Sequence, residues 1–430
     1  MNRNAEAALV VGAAAIAAFG VALVNLALGQ GIDAQVGLTF LVFLIAFGIV
    51  HLAVRRWAPR ATPYIWPLAA VLTAIGFAEV YRLDPRLAAL QRWWLLIAAA
   101  LVVILMFALH KVGVAVLRRY RYVFLALALL LLALPFLPSS GPLPLHGLEV
   151  NGSRLWIRLD LLGLQFDFQP TEIAKLLMIA FLASFLAERR DALIASGSRS
   201  WIRLPQPRQL VPLVVAWALS VAVLVYQRDL GASLLLLAIV VTMLYAATAS
   251  PGYIWTGAGL FVAGGVGAWI MFDHVQRRVT AWLVPFSDYE DSGFQMAQSL
   301  FALGTGSISG SGLGLGRPDL IPHAETDFVL AAVGEELGLA GVVAVISLFT
   351  LLVGVSFGIA LRARDSFRKL LAAGLALLIG LQALLIIGGI LRAFPLTGLP
   401  LPFMSYGGSA LVGSFAALAL LSRVSHEEPS

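Results

Sequence analysis

The chain contains no cysteine, which excludes disulfides, thiolate metal sites and cysteine nucleophiles. It is also poor in charge. Asp, Glu, Lys and Arg make up 12% of its 430 residues, about half of what soluble domains use to wet their surface. With 60% hydrophobic residues, the chain has too few charges for a set of soluble domains and too much apolar surface for disorder. It reads as an integral membrane protein. Lysine is scarce: Lys111, Lys175 and Lys369 are all there is, and none follows a glycine, so a P-loop nucleotide site is excluded. The six histidines are scattered with no His-Glu-x-x-His pair, and no serine sits in a nucleophile elbow. The run Gly310-Ser-Gly312-Leu-Gly314-Leu-Gly316 follows no expected strand and misses dinucleotide-binding spacing. It reads as a turn-rich loop whose backbone approaches a partner closely. The net charge of +6 is assigned to membrane topology, not to nucleic acid.

What is present is a succession of apolar runs. A bilayer core of ~30 Å needs roughly 20 apolar residues per helix. About twelve runs qualify: 8–28, 36–54, 64–80, 93–109, 122–137, 172–186, 210–226, 231–248, 253–272, 328–360, 370–391 and 409–422. The expected fold is therefore all-α, a polytopic membrane bundle. The run 328–360 is too long for one upright span, and its first part is expected in the outer interface. An even number of spans puts both termini on one side. Most lysines and arginines outside the spans fall on that side, including Arg55, Arg56, Arg60, Lys111, Arg118, Arg119 and Arg121. The positive-inside rule then places both termini in the cytoplasm. Two long loops, near 138–171 and 273–327, face outward. Both mix glycine, proline, aromatics and charge, and long ordered loops are usually functional.

Ionisable groups at membrane depth are costly unless paired or solvated, so each is a functional candidate. Five clusters stand out. In Asn151-Gly-Ser-Arg154-Leu-Trp156-Ile-Arg158, the arginines suit bidentate phosphate contact, while Trp156 also reads as an interfacial aromatic. Further on, Glu172 and Lys175 share a helix face at i,i+3 and can neutralise each other, as a substrate site or as a plain anchor. Gln227-Arg228-Asp229 is a broken-helix site or a tight outer turn. Arg277-Arg278, with Trp282, Asp288, Glu290 and Asp291 after them, fit pyrophosphate recognition beside a carboxylate base, or a solvated charged loop. Glu325-Thr326-Asp327-Phe328 precedes Gly334-Glu335-Glu336, two acids inside an apolar run. Finally, Pro395 to Ser409, with three prolines and three glycines, forbids a continuous helix. Such backbone is tolerated in a membrane only where it is buried or lines a cavity. By the assigned topology all five clusters face outward, where nucleotides are not expected and a substrate must arrive already activated.

The stretches NGSRLWIRL, FQPTEIAKL, QRDLGASLL, VPFSDYEDSGFQMAQSLFALGTGSISGSGLGLG, TDFVLAAVGEELGLAG and PLTGLPLPFMSYGGSALV occur in this order. Together they resemble the SEDS family of peptidoglycan glycosyltransferases (RodA, FtsW and SpoVE types). The resemblance covers roughly residues 62–422. It divides the chain into two additional N-terminal helices over 1–60 and a family core over 61–425, a form similar to longer family members.

The resemblance implies polymerisation of lipid II into glycan strands outside the cytoplasmic membrane. The 4-hydroxyl of one lipid-linked disaccharide attacks the anomeric carbon of a growing chain, and undecaprenyl pyrophosphate leaves. The family's Asp-Pro-x-x-Asp reads Val284-Pro285-Phe286-Ser287-Asp288 here, so the general base falls on Asp288. Trp156 and Asp229 match the family's Gly-x-x-x-Trp and Gln-Pro-Asp-Leu-Gly stretches. Substrate-binding roles fall on Arg154, Trp156, Lys175, Asp229, Arg277, Arg278, Gln298, Thr326, Asp327, Glu335, Ser405 and Tyr406. The expected partners are a class B penicillin-binding protein (a transpeptidase) and membrane lipid. A divalent cation, magnesium or manganese, bridging pyrophosphate to Asp288 is compatible with this chemistry, and the chain offers no diagnostic ligand set for it. A lipid II flippase and a non-catalytic scaffold are the competing readings. The flippase needs an inward polar route, whereas the cytoplasmic loops look merely basic.

Overall fold

A computed structural model describes residues 3–138, 145–150, 153–161, 164–195, 207–286, 289 and 293–428. Among these residues the helices are α1 (Arg3–Ala27), α2 (Ala34–Trp57), α3 (Ile65–Leu83), α4 (Pro85–Val112), α5 (Ala115–Arg119), α6 (Arg121–Ala133), α7 (Thr171–Ala195) and α8 (Pro207–Tyr226). They continue as α9 (Leu230–Thr248), α10 (Gly252–Met271), α11 (Asp273–Leu283), α12 (Phe294–Gly306), α13 (Val329–Glu336), α14 (Gly338–Arg362), α15 (Ser366–Ile390) and α16 (Gly408–Glu427). Every apolar run read from the sequence is helical. Nine helices among the described residues are long and apolar enough to cross a membrane: α1–α4, α9, α10 and α14–α16. Two shorter apolar helical stretches are Arg121–Phe136 and Val211–Tyr226, and α7 carries charges at both ends, Glu172 and Lys175 at one and Glu188 to Asp191 at the other. Helix α11 is polar on one face and only about 17 Å long at 1.5 Å per residue, too short to span.

The long run 328–360 divides in two. Gly338, the first residue of α14, adopts φ +68, and a Cβ there would sit 2.3 Å from the Gly310 nitrogen. Every residue of α13 is buried in protein, Glu335 and Glu336 included, so this helix is a packed element.

The chain forms two units. The first comprises Met1–His110, Val266–Val355 and Gln382–His426. Its core includes the rings of Phe43, Phe77, Phe47, Phe415 and Trp66, in contact at centroid distances of 5.3–5.6 Å where Phe43 meets Phe77 and Phe415 meets Phe47 and Trp66. Trp66 Nε1 also donates to Ser422 Oγ at 3.1 Å. The two N-terminal helices are integral to this unit. Helix α1 packs on α2 and α3, and Asn25 joins all three. Its amide donates to Asp33 Oδ1, the cap of α2, at 2.9 Å, and its carbonyl accepts from the Tyr81 hydroxyl at 3.0 Å.

The second unit comprises Lys111–Gly265, Ser356–Leu381 and Glu427–Ser430. Here α7 packs on α6 and α9. The unit also holds an element absent from the all-α expectation, a small antiparallel sheet of β1 (Leu145–Val150), β2 (Ser153–Leu161) and β3 (Leu164–Phe168), in that order. Strand alternation puts Leu155, Ile157 and Leu159 on one face of β2 and Arg154, Trp156, Arg158 and Asp160 on the other. Opposite Arg158 lies Asp167, which accepts two bonds of 2.7 and 2.8 Å from its guanidinium. This pairing holds Arg158 charged above its ordinary range.

One position in α3 tests the packing of the first unit. A Cβ on Gly76 would lie 2.3 Å from both Cα and O of Met404. Gly76→Val is therefore expected to destabilise the protein by about 2 kcal/mol or more, since backbone cannot yield as a side chain does. Gly12→Ala, in open space, is the control. Thermal unfolding in detergent checks it: the Gly76 variant melts lower, and the Gly12 variant melts with the wild type.

Candidate active site

In the first unit a cavity of about 120 Å³ is lined by Arg277, Arg278, Ala281, Gln295, Met296, Asp327, Leu396 and Gly398. It brings together three sequence-distant clusters: the paired arginines, the Thr-Asp-Phe stretch and the Pro/Gly segment. The volume is well below the ~300 Å³ at which small-molecule sites begin. It suits one polar group of a larger substrate that extends beyond it.

The arginines are placed by α11, which is held at two points. Arg278 donates to the carbonyl of Thr397 at 2.9 Å and approaches that of Leu396 at 3.5 Å. One turn on, Trp282 Nε1 donates to the Arg392 carbonyl at 3.0 Å. The Arg392 guanidinium returns bonds to the carbonyls of Trp282 (2.8 Å) and Leu283 (2.7 Å). The irregular backbone after α15 thus receives its hydrogen bonds from α11, and α11 is fixed by giving them. Both cavity arginines are exposed, and neither makes an ion pair among the described residues, so the cavity carries surplus positive charge.

Asp327 lines the same cavity, half-buried. Burial raises its pKa, and the charge of Arg278 opposes that rise. The segment that carries it is held from behind. Ser405 Oγ donates to the Thr326 carbonyl at 2.5 Å and accepts from the Leu401 amide at 2.9 Å, and the Tyr406 amide donates to the Glu325 carbonyl at 2.8 Å. Ser405 is buried, and its hydroxyl latches the Thr-Asp segment to the Ser-Tyr-Gly-Gly-Ser segment. Gln295, on α12, donates to the Pro322 carbonyl at 2.6 Å and completes the wall.

The remaining residues singled out in the sequence lie elsewhere. In the first unit Gln298 donates to the Tyr289 hydroxyl at 2.7 Å and does not line the cavity. Glu335 accepts from the Arg317 amide at 2.8 Å, and Glu336 accepts from the Gly314 amide at 2.7 Å and from Arg82 at 3.2 Å. The glycine-rich loop is the wrapping for these two acids: Ser311 and Gly312 amides donate to the carbonyls of Glu335 and Glu336. In the second unit, Arg154 pairs with the exposed Glu149 at 3.1 Å, and Trp156 shares its strand face. Lys175 and Glu172 form a buried pair at 2.9 Å. Asp229 accepts from the Ala232 amide at 3.0 Å as the N-cap of α9, in the tight turn that follows α8. Asp288, Glu290 and Asp291 lie outside the described residues. Among the described residues, no three His, Asp or Glu side chains converge as a metal ion requires.

Sequence reading did not single out Gln295, Leu396 or Gly398 as site residues, nor Arg82. The first three lie inside stretches that were recognised. Arg82 meets Glu336 across 254 residues, and no local pattern announces that pairing.

The raised pKa of Asp327 has a consequence for stability. A carboxyl whose folded pKa exceeds its unfolded one favours the folded state at low pH, and that contribution is lost as pH rises through the folded value. Asp327→Asn removes the cost of burying the charge. The variant is expected to gain thermal stability over the wild type at pH 8, with the gain shrinking towards pH 4. Melting curves across that range check it, and a constant difference would exclude titration of Asp327 as its source.

A family of FtsW, RodA and SpoVE proteins, described as cell cycle proteins, matches residues 64–430. The peptidoglycan glycosyltransferase RodA of Mycobacterium tuberculosis is 40% identical over 437 aligned residues, covering 99% of this chain and 91% of that protein. A probable peptidoglycan glycosyltransferase FtsW of a Geobacter species is 40% identical over 69% of this chain and 76% of its own. Among solved structures, a chain from work on the structural coordination of polymerization and crosslinking by a peptidoglycan synthase complex superposes with a TM-score of 0.66. It is 28% identical and covers 86% of this chain and 98% of its own. The rod shape determining protein RodA of Thermus thermophilus gives 0.58 at 27% identity, with the same coverage of each. With a family match over most of its length and relatives this similar, the chain belongs to the FtsW/RodA/SpoVE family, the SEDS proteins.

Proposed function

We infer that the chain is a peptidoglycan glycosyltransferase that polymerises glycan strands in cell shape or division. The observation that carries this reading is its near-full-length similarity to mycobacterial glycosyltransferases of the same family. The cationic cavity supports it with chemistry. The substrate is lipid II, reached from the outer face of the cytoplasmic membrane, with both termini in the cytoplasm. The acceptor 4-hydroxyl forms the new bond to the anomeric carbon as the bond to the pyrophosphate oxygen breaks. Asp288 takes the hydroxyl proton. Arg277 and Arg278 take up the charge that develops on undecaprenyl pyrophosphate, which strengthens their contact in the transition state. Asp327 lines the same cavity, and Thr326 precedes it in the segment that Ser405 latches. Arg154, Trp156, Gln298, Ser405 and Tyr406 bind or position the glycolipid, while Lys175, Asp229 and Glu335, each engaged within the protein, serve the scaffold. A magnesium or manganese ion, if one binds, would be held by Asp288 and would supply positive charge toward the pyrophosphate. A class B penicillin-binding protein crosslinks the strands that this chain makes.

A positioned carboxylate base contributes ~10²–10⁴-fold to rate. Asp288→Asn is therefore expected to lower polymerisation of lipid II by the purified protein about a hundredfold or more, measured as glycan strands resolved on gels. Glu290→Gln and Asp291→Asn are expected to stay near wild type. If they fall as far as Asp288→Asn, the loop contributes charge and not a base. Wild-type protein that moves lipid II across vesicles without making strands would favour the flippase instead.

A further inference from the structure

The second unit contains another cationic cavity, of about 410 Å³, lined by Ala115, Arg118, Arg119, Arg121, Tyr122 and Glu188. It lies where α5 gives way to α6, against the charged end of α7, and none of the family motifs reaches it. Its three arginines are differently engaged. Arg121 pairs with Glu188 and lies 5.0 Å from the Tyr122 ring centroid. The half-exposed Arg118 is 3.9 Å from Asp365. Arg119 makes no ion pair among the described residues, and its guanidinium lies 5.6 Å from the Tyr120 ring centroid. Two carboxylates thus meet three guanidinium groups, which leaves one positive charge without a protein partner.

The surroundings say what kind of anion this charge receives. Tyr120 and Tyr122 are both exposed, as aromatic residues are at the headgroup level of a bilayer. From the cavity an exposed apolar line runs along α6 through Val123, Leu127 and Leu130. The spacings i, i+4 and i+7 place these side chains on one helix face. A free phosphate uses the arginines and leaves that line to chance. An amphiphile uses both, with a phosphate among the guanidinium groups and an acyl chain along the apolar line. Arginine suits the phosphate end, because its planar fork grips two oxygens at once.

We propose that this cavity is a headgroup site for an anionic phospholipid, with Arg118 and Arg119 holding the phosphate and the exposed face of α6 carrying an acyl chain. Basic pockets between membrane helices recognise lipid headgroups in this way. The site is distinct from the cavity of the first unit. It needs no lipid II chemistry, because it recognises a glycerophosphate and one chain.

Native mass spectrometry of the purified full chain tests this, with phosphatidylglycerol and phosphatidylcholine of identical chains as probes. The wild type is expected to retain phosphatidylglycerol roughly tenfold more strongly than phosphatidylcholine. Arg118→Gln/Arg119→Gln is expected to lose that preference with an unchanged melting temperature, since it keeps the Arg121–Glu188 pair and gives up only the long, exposed Arg118–Asp365 contact. Arg119→Lys retains part of the preference. Two results overturn the proposal: a preference that survives the double substitution, and displacement of phosphatidylglycerol by millimolar inorganic phosphate, which identifies a free-anion site. If the double variant melts lower, Arg119→Gln alone decides, and wild-type lipid preference in that variant also overturns the proposal.

Discussion

The structure of the first unit depends on one constraint: the non-helical backbone between α15 and α16 has hydrogen-bonding groups that a membrane protein cannot leave unmet. Three prolines and several glycines prevent this segment from satisfying itself. Side chains from elsewhere do so. Arg278 serves the carbonyls of Leu396 and Thr397, Trp282 that of Arg392, and Gln382 that of Pro400 at 2.8 Å. Ser405, inside the segment, serves Thr326 and Leu401. The cavity is the by-product of this arrangement. Arginines recruited to satisfy carbonyls bring positive charge to a place that also contains a carboxyl, and Arg277 stands beside them with no carbonyl to serve.

The glutamates of α13 obey the same rule and reach a different outcome. Glu336 is fully buried, where an unpaired charge costs several kcal/mol. Arg82 and the Gly314 amide answer it, and the loop from Gly306 to Arg317 closes round both acids. Here backbone amides and the guanidinium of Arg82 hold the acids inside the fold. A charged group is therefore a candidate site only where it also faces a cavity. Arg277 and Arg278 meet that test. Glu335 and Glu336 serve the scaffold that positions the neighbouring Thr-Asp segment.

Helices were legible because a bilayer demands long apolar runs, and each such run folded as a helix. The small sheet was not, although its alternation is plain: Leu155, Ile157 and Leu159 against Arg154, Trp156 and Arg158. A search tuned to apolar length passes over a strand whose apolar residues come every second position. Arg154 read as a phosphate ligand from its residue type alone, and the fold gives it Glu149 as a neighbour on β1. Asp229 was open between a site and a turn, and its side chain caps a helix. The convergence of residues 277–278, 327 and 396–398 could be expected only from the common side that the positive-inside reading assigns to them. Contacts such as Ser405 to Thr326, 79 residues apart, have no local signature. The proposal of Asp288 as the base rests on resemblance, since nothing about one aspartate in an acidic loop marks it as a base.

The central claim is that the surplus charge of the first unit's cavity holds the pyrophosphate of the substrate. Arg277 is the residue to change, because no hydrogen bond or ion pair of the described scaffold uses it. Equilibrium binding of undecaprenyl pyrophosphate to the purified wild type and to Arg277→Gln, with melting temperature measured alongside, tests the claim most directly. The account predicts binding weaker by roughly tenfold or more, the worth of one charge-assisted contact, with the melting temperature unchanged. Equal affinity of the two proteins would contradict it.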